Sequence, residues 1–429
     1  HQPESGSPSP ALLTNTHQPP RPGLVDGRLP PRRRWPIVIV LALLASATSP
    51  VAGLFLGLAG AALLLSGRIG AGLLIAVPAA LPLGLNALLF GDGGWMNISR
   101  TDTVRAVVAS LVVAALVPLR PVRIGALLSA AGVLTAALIH TPVGLNATRL
   151  AVMFTLPALA AYATVPSSLM RMLPARGRVL LARLPIPFVH RDAGAVPRSS
   201  MPVWAVVLLV AAAAWWQPPV VIGDVRDIGN PTTDRAYFAP LLDRLRQETL
   251  TGRVEIPSTR DYWEAAHLDD VPLARGWLRQ ADIARNPLFF TDLPGARGTG
   301  VALTAQSYRT WLTDRAVQFV AVPDAAVTWS GRPEAALVTA GLPYLRPIWS
   351  SEHWRLYAVA DPQPIVAPPA TLIATTAAAV TFEVPAAGEI AVRVHYYRWL
   401  HASGGARVKR NGDWTVVHTP TAGRYTLTS

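Results

Sequence analysis

The stretch WPIVIVLALLASATSPVAGLFLGLAGAALLLS, residues 35–66, decides the fold of this chain. It holds no charged residue, and such runs are typical of helices in a bilayer, whose ~30 Å hydrocarbon core needs about 20 apolar residues per span. The stretch is too long for one span, and Ser49-Pro50 interrupts it near the middle. We therefore predict two short helices, about 36–48 and 51–66, joined by a tight turn.

Further apolar runs extend this half of the chain to residue 217. They lie at about 70–90, 104–118, 122–139, 147–165 and 202–214. With the two helices above, they predict an α-helical polytopic membrane domain of about seven spans over residues 32–217. The composition agrees, because 51% hydrophobic residues, 15% charged residues and a mean hydropathy of +0.34 are rare in a soluble protein.

Residues 1–31 are rich in Pro, Ser, Gly and Gln and contain no apolar run. This composition predicts a disordered tail rather than a signal peptide. Because the first residue is His1 rather than Met, we expect a fragment or a processed chain.

Charge predicts the orientation of the protein in its membrane. Residues 1–217 carry 17 Arg and 5 acidic residues, whereas residues 218–429 carry 21 basic and 20 acidic residues. A cytoplasmic N-terminus places 14 of those 17 Arg inside and leaves Arg100, Arg105 and Arg149 outside. The prediction is a multi-pass plasma-membrane protein with residues 218–429 outside the cytoplasm. The Arg excess flanks apolar runs, which argues against a nucleic-acid partner.

Residues 218–429 have the patterns of a water-soluble fold. Helical and strand periodicities alternate over residues 218–360, which predicts an extracytoplasmic α/β domain. A Pro-rich linker at 361–369 leads into four strand-like runs, so residues 370–429 are predicted to form a β-sandwich-like domain. The chain contains no Cys, and these domains must be stable without disulfides.

Two polar clusters are candidate sites in the membrane half. The loop at 91–103 carries Asp92, Trp95, Asn97 and Asp102, where two carboxylates and a ring could hold a sugar and act as a base. The alternative is a polar turn in which Asp102 or Ser99 caps the next helix.

The second cluster is His140, Asn146 and Arg149, predicted on the same side as that loop. Arg149 lies about one turn into an apolar segment, where an Arg could contact a lipid phosphate. The alternative is a side chain that extends to the interface.

The densest polar and aromatic run lies at 260–282. Its candidate ligand-binding residues are Arg260, Asp261, Trp263, Glu264, His267, Arg275, Trp277 and Arg279. Rings with Arg and carboxylates suit a sugar, and the alternative is an ion-pair network that holds the soluble half to the membrane. An aromatic stripe at His395, Tyr397 and Trp399 could bind glycan or pack on a neighbouring domain.

The sequence lacks a Walker A motif, a dinucleotide-binding glycine pattern and HExxH. The nine His are scattered without metal-ligand spacing. We therefore expect no cofactor and no metal.

Four motifs resemble a known family. They are TSPVAGLF at 48–55, GDGGW at 91–95, TPVGLNATRL at 141–150 and PLARGWLRQ at 272–280. They resemble actinobacterial polytopic membrane glycosyltransferases of GT-C type, and the resemblance covers about residues 35–429. It implies sugar transfer from a polyprenyl-phosphate carrier to an envelope glycan on the outer face of the membrane.

Such enzymes place a catalytic carboxylate in their first extracytoplasmic loop. The first outside turn predicted here, residues 46–50, contains no acidic residue, so Asp92 or Asp102 would have to serve. The resemblance therefore implies a glycosyltransferase or its C-terminal part. The alternative is a non-catalytic, membrane-anchored envelope-assembly or glycan-binding protein, and a transporter ranks last.

Overall fold

The computed structural model describes residues 34–91, 94–166, 198–219, 221–291 and 301–429. The predicted tail at 1–31 lies outside them, as do the Arg-rich residues 167–197. Contacts divide the chain into two compact units, His1–Gly84 and Leu85–Ser429. The domain boundaries predicted from the sequence remain predictions.

The first unit contains α1 (Trp35–Thr48), α2 (Pro50–Leu65) and most of α3 (Ile69–Leu89). The two short helices predicted around Ser49-Pro50 are confirmed. Ser49 caps α2, because its side chain accepts a hydrogen bond from the backbone N–H of Ala52, and Pro50 occupies the first turn, where its missing N–H costs nothing.

The second unit begins with the last turn of α3 and continues through further apolar helices. These are α4 (Arg100–Leu116), α5 (Arg120–Leu138), α6 (Arg149–Tyr162) and α7 (Val203–Trp216). A 3-10 turn, Gly144–Thr148, leads directly into α6. Two short strands, β1 (Thr164–Pro166) and β2 (Arg198–Ser200), pair antiparallel before α7.

The prediction of about seven spans is wrong. Only three helical segments among the described residues are long and apolar enough to cross a membrane: Ile69–Leu89, Arg120–Leu138 and Gly144–Tyr162. Helices α1, α2 and α7 have 14, 16 and 14 residues. At ~1.5 Å per residue they reach about 21–24 Å, short of the ~30 Å hydrocarbon core. The apolar runs predicted the ends of these three helices to within two residues, but helices of this length are too short to count as full spans.

A four-stranded mixed sheet organises residues 221–360, which we call the mixed-sheet segment. Its strands are β3 (Arg253–Glu255), β4 (Val317–Pro323), β5 (Leu345–Ser350) and β6 (Trp354–Val359), in the order β3-β4-β6-β5. Strand β3 runs parallel to β4, and the other neighbours are antiparallel.

Six α-helices are found among the described residues of the mixed-sheet segment. They are α8 (Val221–Arg226), α9 (Arg235–Leu245), α10 (Glu264–His267), α11 (Arg279–Arg285), α12 (Ala305–Asp314) and α13 (Gly331–Thr339). Strand β4 is buried on both faces: Phe319 and Ala321 join the core under α9, while Val320 joins the core under α12 and α13. Burial on both faces explains the continuous apolar run of β4.

Two antiparallel sheets form residues 371–428, which we call the sandwich segment. The strands are β7 (Thr371–Thr375), β8 (Ala379–Val384), β9 (Gly388–His395), β10 (His401–Ala402), β11 (Arg407–Asn411), β12 (Trp414–Thr419) and β13 (Gly423–Thr428). Their orders are β10-β13-β8-β7 and β11-β12-β9. Phe382, Ile390 and Val417 belong to the core shared by both sheets. This arrangement is compatible with the predicted β-sandwich-like unit.

Arg253 joins the mixed-sheet and sandwich segments. Its guanidinium donates to the backbone carbonyl of Arg315, at 2.7 Å, and to the carbonyl of Arg393 in β9. Arg393 in turn donates to the carbonyl of Asp314, at 3.1 Å. Charged donors on carbonyl acceptors are stronger than neutral ones, so these bonds hold the two segments together.

We expect Arg253→Ala to lower the free energy of unfolding by about 2 kcal/mol, because two carbonyls lose a charged donor at a half-buried position. The measurement is the thermal unfolding midpoint of the full chain in detergent. Arg407→Ala, at an exposed position on β11, is the matched control and should leave the midpoint unchanged. Equal midpoints for both variants would contradict the role of Arg253.

Candidate functional site

The loop after α3 packs on the segment that follows α5. The ring of Trp95 stacks on that of His140, with centroids 4.1 Å apart. The backbone N–H of Met96 donates to the carbonyl of Thr141 at 3.0 Å, and the Asn146 amide nitrogen lies 3.6 Å from the Met96 sulfur. The structure thus brings together three residues that the sequence predicts on one side: Trp95, His140 and Asn146.

The remaining candidates of these two clusters are placed differently. Asp102 lies in the first turn of α4, where Ser99 Oγ accepts from its backbone N–H at 3.0 Å and donates to its carboxylate at 2.7 Å. This is the capping arrangement named above as the alternative. Asn97 is half-buried, Arg149 is exposed as the first residue of α6, and Asp92 lies outside the described residues. Catalysis by either aspartate stays a prediction.

The same loop meets the mixed-sheet segment. Gly94 has a φ of 65°, and a Cβ there would lie 2.2 Å from the carbonyl oxygen of Gln280 in α11. Only glycine allows this backbone approach. Trp95 also packs against the core that contains Phe289 and Trp311. The loop is therefore a direct attachment between the helical part and the mixed sheet.

The aromatic stripe of the sandwich segment makes a second attachment. Arg398 donates to the carbonyl of Leu88 at 2.6 Å, and the indole of Trp399 donates to the carbonyl of Leu89 at 3.2 Å. Both acceptors lie in the last turn of α3, whose carbonyls have no partner within the helix. His395 instead stacks on Trp414, at 4.4 Å between centroids. Packing on a neighbouring element describes this stripe better than glycan binding.

The polar run at 260–282 separates into a buried network and a surface pocket. In the network, Arg275 is 7% exposed. Its guanidinium lies 2.9 Å from Asp282, 2.9 Å from Glu334 and 3.4 Å from Glu255. The ring of Phe289 lies 4.0 Å beneath it. Arg275 therefore holds α11, α13 and β3 together and is not placed to touch a ligand.

Three carboxyl groups surround this single guanidinium. Burial, together with the neighbouring Glu334 carboxyl, holds the pKa of Glu255 well above its usual range. Burial also raises the pKa of Glu334, which accepts a 2.9 Å hydrogen bond from the Tyr308 hydroxyl. Both pKa shifts favour the protonated carboxyl, which reduces the negative charge around the guanidinium. Sequence reasoning missed Glu255 and Glu334, although an acid inside the apolar strand at 253–256 was a usable signal.

Glu264, His267 and Trp263 lie between the network and α9. The Glu264 carboxylate accepts from the backbone N–H of Thr259 at 3.2 Å and from its hydroxyl. Burial raises the pKa of Glu264 to about 7. His267 stacks on Trp263, and its Nε2 lies 3.2 Å from the carbonyl oxygen of Thr233. These residues support the turn that follows Thr259.

That turn forms one wall of a surface cavity of about 280 Å³, which we call the arginine pocket. The pocket is lined by Arg260, Asp261, Tyr262, Arg279, Ala326, Val327, Thr328, Trp329 and Arg332. The residues come from the turn at 260–262, the start of α11, and the segment that leads into α13. It contains Arg260, Asp261 and Arg279 of the predicted set, whereas Trp277 is 65% exposed and outside the lining.

The backbone of the turn is held in an unusual conformation. Asp261 has a φ of 63° and Tyr262 a φ of 61°, both in the left-handed region that non-glycine residues rarely adopt. Hydrogen bonds from Arg260 N–H to the Ala326 carbonyl, at 3.0 Å, and from Thr328 N–H to the Ser258 carbonyl, at 2.8 Å, hold it. Strain of about 1–3 kcal/mol per residue persists where the surroundings impose it, commonly at binding sites.

Charge in the arginine pocket is mainly positive. Arg260 pairs with Asp227 at 3.1 Å. Arg279 lies 5.6 Å from the centroid of the Trp329 ring, and its Nε donates to the Tyr262 hydroxyl at 3.5 Å. Within the described part of the chain, neither Arg279 nor Arg332 forms an ion pair with a carboxylate. Two guanidinium groups are therefore available to bind an anion.

One carboxyl group shares the pocket with these cations. Burial, and then the neighbouring Asp227 carboxylate, raise the pKa of Asp261. A carboxyl group perturbed in this way, beside arginines and in a cavity, is a candidate for binding or proton transfer. Sequence reasoning missed Trp329 and Arg332, because about 70 residues separate them from the turn they face.

No protein-family model, curated protein or solved structure matches this chain. The resemblance to GT-C glycosyltransferases therefore stays a prediction from residue patterns.

Proposed function

We propose that this chain is a membrane protein that binds an anionic carbohydrate in the arginine pocket. The observation that carries the proposal is the pair Arg279 and Arg332, two guanidinium groups without carboxylate partners among the described residues, beside the rings of Trp329 and Tyr262. Guanidinium groups bind phosphate and carboxylate in a bidentate manner. Aromatic faces stack on the C–H faces of a sugar.

The size of the pocket limits the ligand. A volume of about 280 Å³ is at the small end for a small-molecule site, and it suits a single sugar residue with its phosphate or carboxylate. Asp261 would accept hydrogen bonds from sugar hydroxyls, while Arg260, already neutralised by Asp227, would orient them. A sugar phosphate on a polyprenyl carrier, or an acidic residue of an envelope glycan, has this chemistry.

The location that we propose is the outer face of the plasma membrane, with the N-terminus in the cytoplasm. Helix α5 is one of the three segments able to cross a membrane. Arg120 and Arg123 lie at its first turn, whereas His140, just beyond its other end, stacks on Trp95 beside the mixed-sheet segment. The positive-inside rule puts the Arg end in the cytoplasm, and the pocket then faces the envelope.

Sugar transfer is the second candidate, and Asp261 favours it. Its raised pKa in an arginine-lined cavity is the property expected of a general base. The GT-C resemblance would assign that role to Asp92 or Asp102 and assign Arg149 to the lipid phosphate. Polyprenyl-phosphate sugar would be the donor and an envelope glycan the acceptor.

The test is binding of a hexose 1-phosphate to the full chain in lipid nanodiscs, by calorimetry, with the neutral hexose and inorganic phosphate as comparison ligands. We expect Arg279→Ala with Arg332→Ala to weaken hexose 1-phosphate binding by at least about 10-fold, because charged hydrogen bonds contribute about 1.5–3 kcal/mol each. Arg346→Ala, an exposed Arg on β5, is the control and should bind normally.

Equal affinity of the double variant and the Arg346→Ala control would contradict the proposal. Transfer of labelled sugar from a polyprenyl-phosphate donor separates the two candidates. If Asp261→Asn keeps binding and loses transfer, the chain is a transferase. If the wild-type chain binds the ligand and transfers nothing to envelope glycan, binding is its function.

A further inference from the structure

Trp277 and Leu278 form an apolar step that is partly exposed on the surface of the described chain. Trp277 is 65% exposed and Leu278 is 39% exposed, immediately before α11. Exposed large apolar residues of this kind mark interaction surfaces when they cluster. The sequence interpretation of Trp277 as a sugar contact does not fit, because the ring lies outside the lining of the arginine pocket.

The position of this step relative to the apolar helices follows from Gln280. The carbonyl of Gln280 abuts Gly94, in the loop between α3 and α4. Trp277 precedes Gln280 by three residues, so its Cα lies within about 11 Å of the Cα of Gln280, since consecutive Cα atoms are ~3.8 Å apart. The step is therefore near the ends of α3 and α5, two of the segments able to cross a membrane.

Two further tryptophans lie at the same end of the helices. Trp215 is 87% exposed and Trp216 is 41% exposed, at the end of α7. The indole of Trp216 donates to the carbonyl of Arg105 at 3.3 Å. Arg105 is five residues into α4, or about 7 Å along that helix at ~1.5 Å per residue. The end of α7 therefore lies beside the first turns of α4, the helix that follows the loop in contact with α11.

We infer that Trp277 and Leu278 insert into the headgroup region of the bilayer and form an interfacial anchor for the mixed-sheet segment. The lipid surface is the occupant, because the step lies near the ends of helices that are long and apolar enough to cross a membrane. Indole rings favour this region, which is about 5–7 Å thick on each side of the hydrocarbon core. Insertion would keep the arginine pocket, which Arg279 lines, close to the lipid surface. The inference depends on membrane association and not on ligand binding.

The absence of cysteine from the sequence makes a direct test available. Trp277→Cys, in the full chain, provides a single site for an environment-sensitive fluorophore. The labelled protein is placed in nanodiscs of phosphatidylethanolamine and phosphatidylglycerol, with or without a lipid that carries a nitroxide near its headgroup. Lys409→Cys, at an exposed position on β11, is the polar control, and Leu88→Cys, 77% exposed in the last turn of α3, is the bilayer control.

We expect the label at 277 to emit at shorter wavelength than the label at 409, and to be quenched by the nitroxide lipid at least about twofold more strongly. Emission and quenching equal to those at 409 would overturn the anchor. Blue-shifted emission without lipid quenching would also overturn it, because a protein partner or a second copy would then cover the step.

A second measurement avoids the bulk of the label. Brominated lipid should quench a smaller share of the intrinsic fluorescence in Trp277→Phe than in the wild-type chain. Trp349→Phe, at a half-buried position on β5, should instead raise the quenched share slightly, because it removes a tryptophan that the lipid does not reach. A quenched share in Trp277→Phe equal to or above that of the wild-type chain would overturn the anchor even if the labelled variants fold poorly.

Discussion

Replacement of Arg275 by alanine is expected to lower the free energy of unfolding by about 4 kcal/mol. The guanidinium is the only cation among the described groups that contacts the carboxyls of Glu255, Asp282 and Glu334. Its loss leaves buried carboxyls without a counter-charge, and a cavity over Phe289. The thermal unfolding midpoint of the full chain in detergent should fall by about 12 °C, at ~3 °C per kcal/mol.

The control for this substitution is Arg355→Ala, because Arg355 is exposed on β6 of the same sheet. Its midpoint should stay at the wild-type value. Glu255→Gln should be tolerated, since burial holds the pKa of Glu255 well above its usual range and an amide resembles the neutral carboxyl. A wild-type midpoint for Arg275→Ala would mean that the network does not stabilise the mixed sheet.

Ionisation of Glu264 alone is expected to lower the free energy of unfolding by roughly 3 kcal/mol as pH rises from about 4.5 to 7. Burial raises the pKa of this carboxyl from its usual 4.5 to about 7 in the folded chain. Between those values the folded state binds more protons than the unfolded state, so the free energy of unfolding decreases with pH. Below pH 4.5 both states are protonated and the contribution is zero, whereas above pH 7 the full penalty applies.

Glu264→Gln isolates this contribution, because glutamine keeps an acceptor for the Thr259 N–H but cannot ionise. Chemical unfolding of both proteins should give equal stability at pH 4 and a more stable variant at pH 8. The difference between the two curves removes the separate titration of Glu255 and Glu334. Glu389→Gln, exposed on β9, should follow the wild-type curve. Parallel curves for wild type and Glu264→Gln would contradict the shift.

Local pattern predicted most of the secondary structure. Ser49-Pro50 separates α1 from α2 because proline fits a first helical turn and serine caps it. The apolar run at 317–322 became β4 because both faces of that strand are buried. The alternating runs after residue 370 became the strands of two packed sheets. Each of these elements depends on residues that are close together in the chain.

The membrane spans and the pocket depend on more than local pattern. The apolar runs predicted the helices, but among the described residues only three helical segments are long and apolar enough to cross a bilayer. The arginine pocket joins the turn at 260–262 to Trp329 and Arg332, and the backbone hydrogen bond from Arg260 to Ala326 that helps to hold it could not be predicted from residue spacing. Arg275 and Glu264 belong to the same polar run as the pocket residues, but both are buried and have structural roles. Composition alone does not distinguish a buried structural residue from one that binds a ligand.

The attachments of the mixed-sheet and sandwich segments to the helices also affect how the protein can be expressed and assayed. Gly94 and Trp95, in the loop after α3, pack against the mixed-sheet segment. Arg398 and Trp399 donate hydrogen bonds to the last carbonyls of α3. A fragment that begins after residue 217 would lose both attachments. The aromatic and aliphatic side chains that contact the helices would then be exposed to water, and we expect such a fragment to self-associate. Crystallisation trials and binding assays therefore require the chain with its helices.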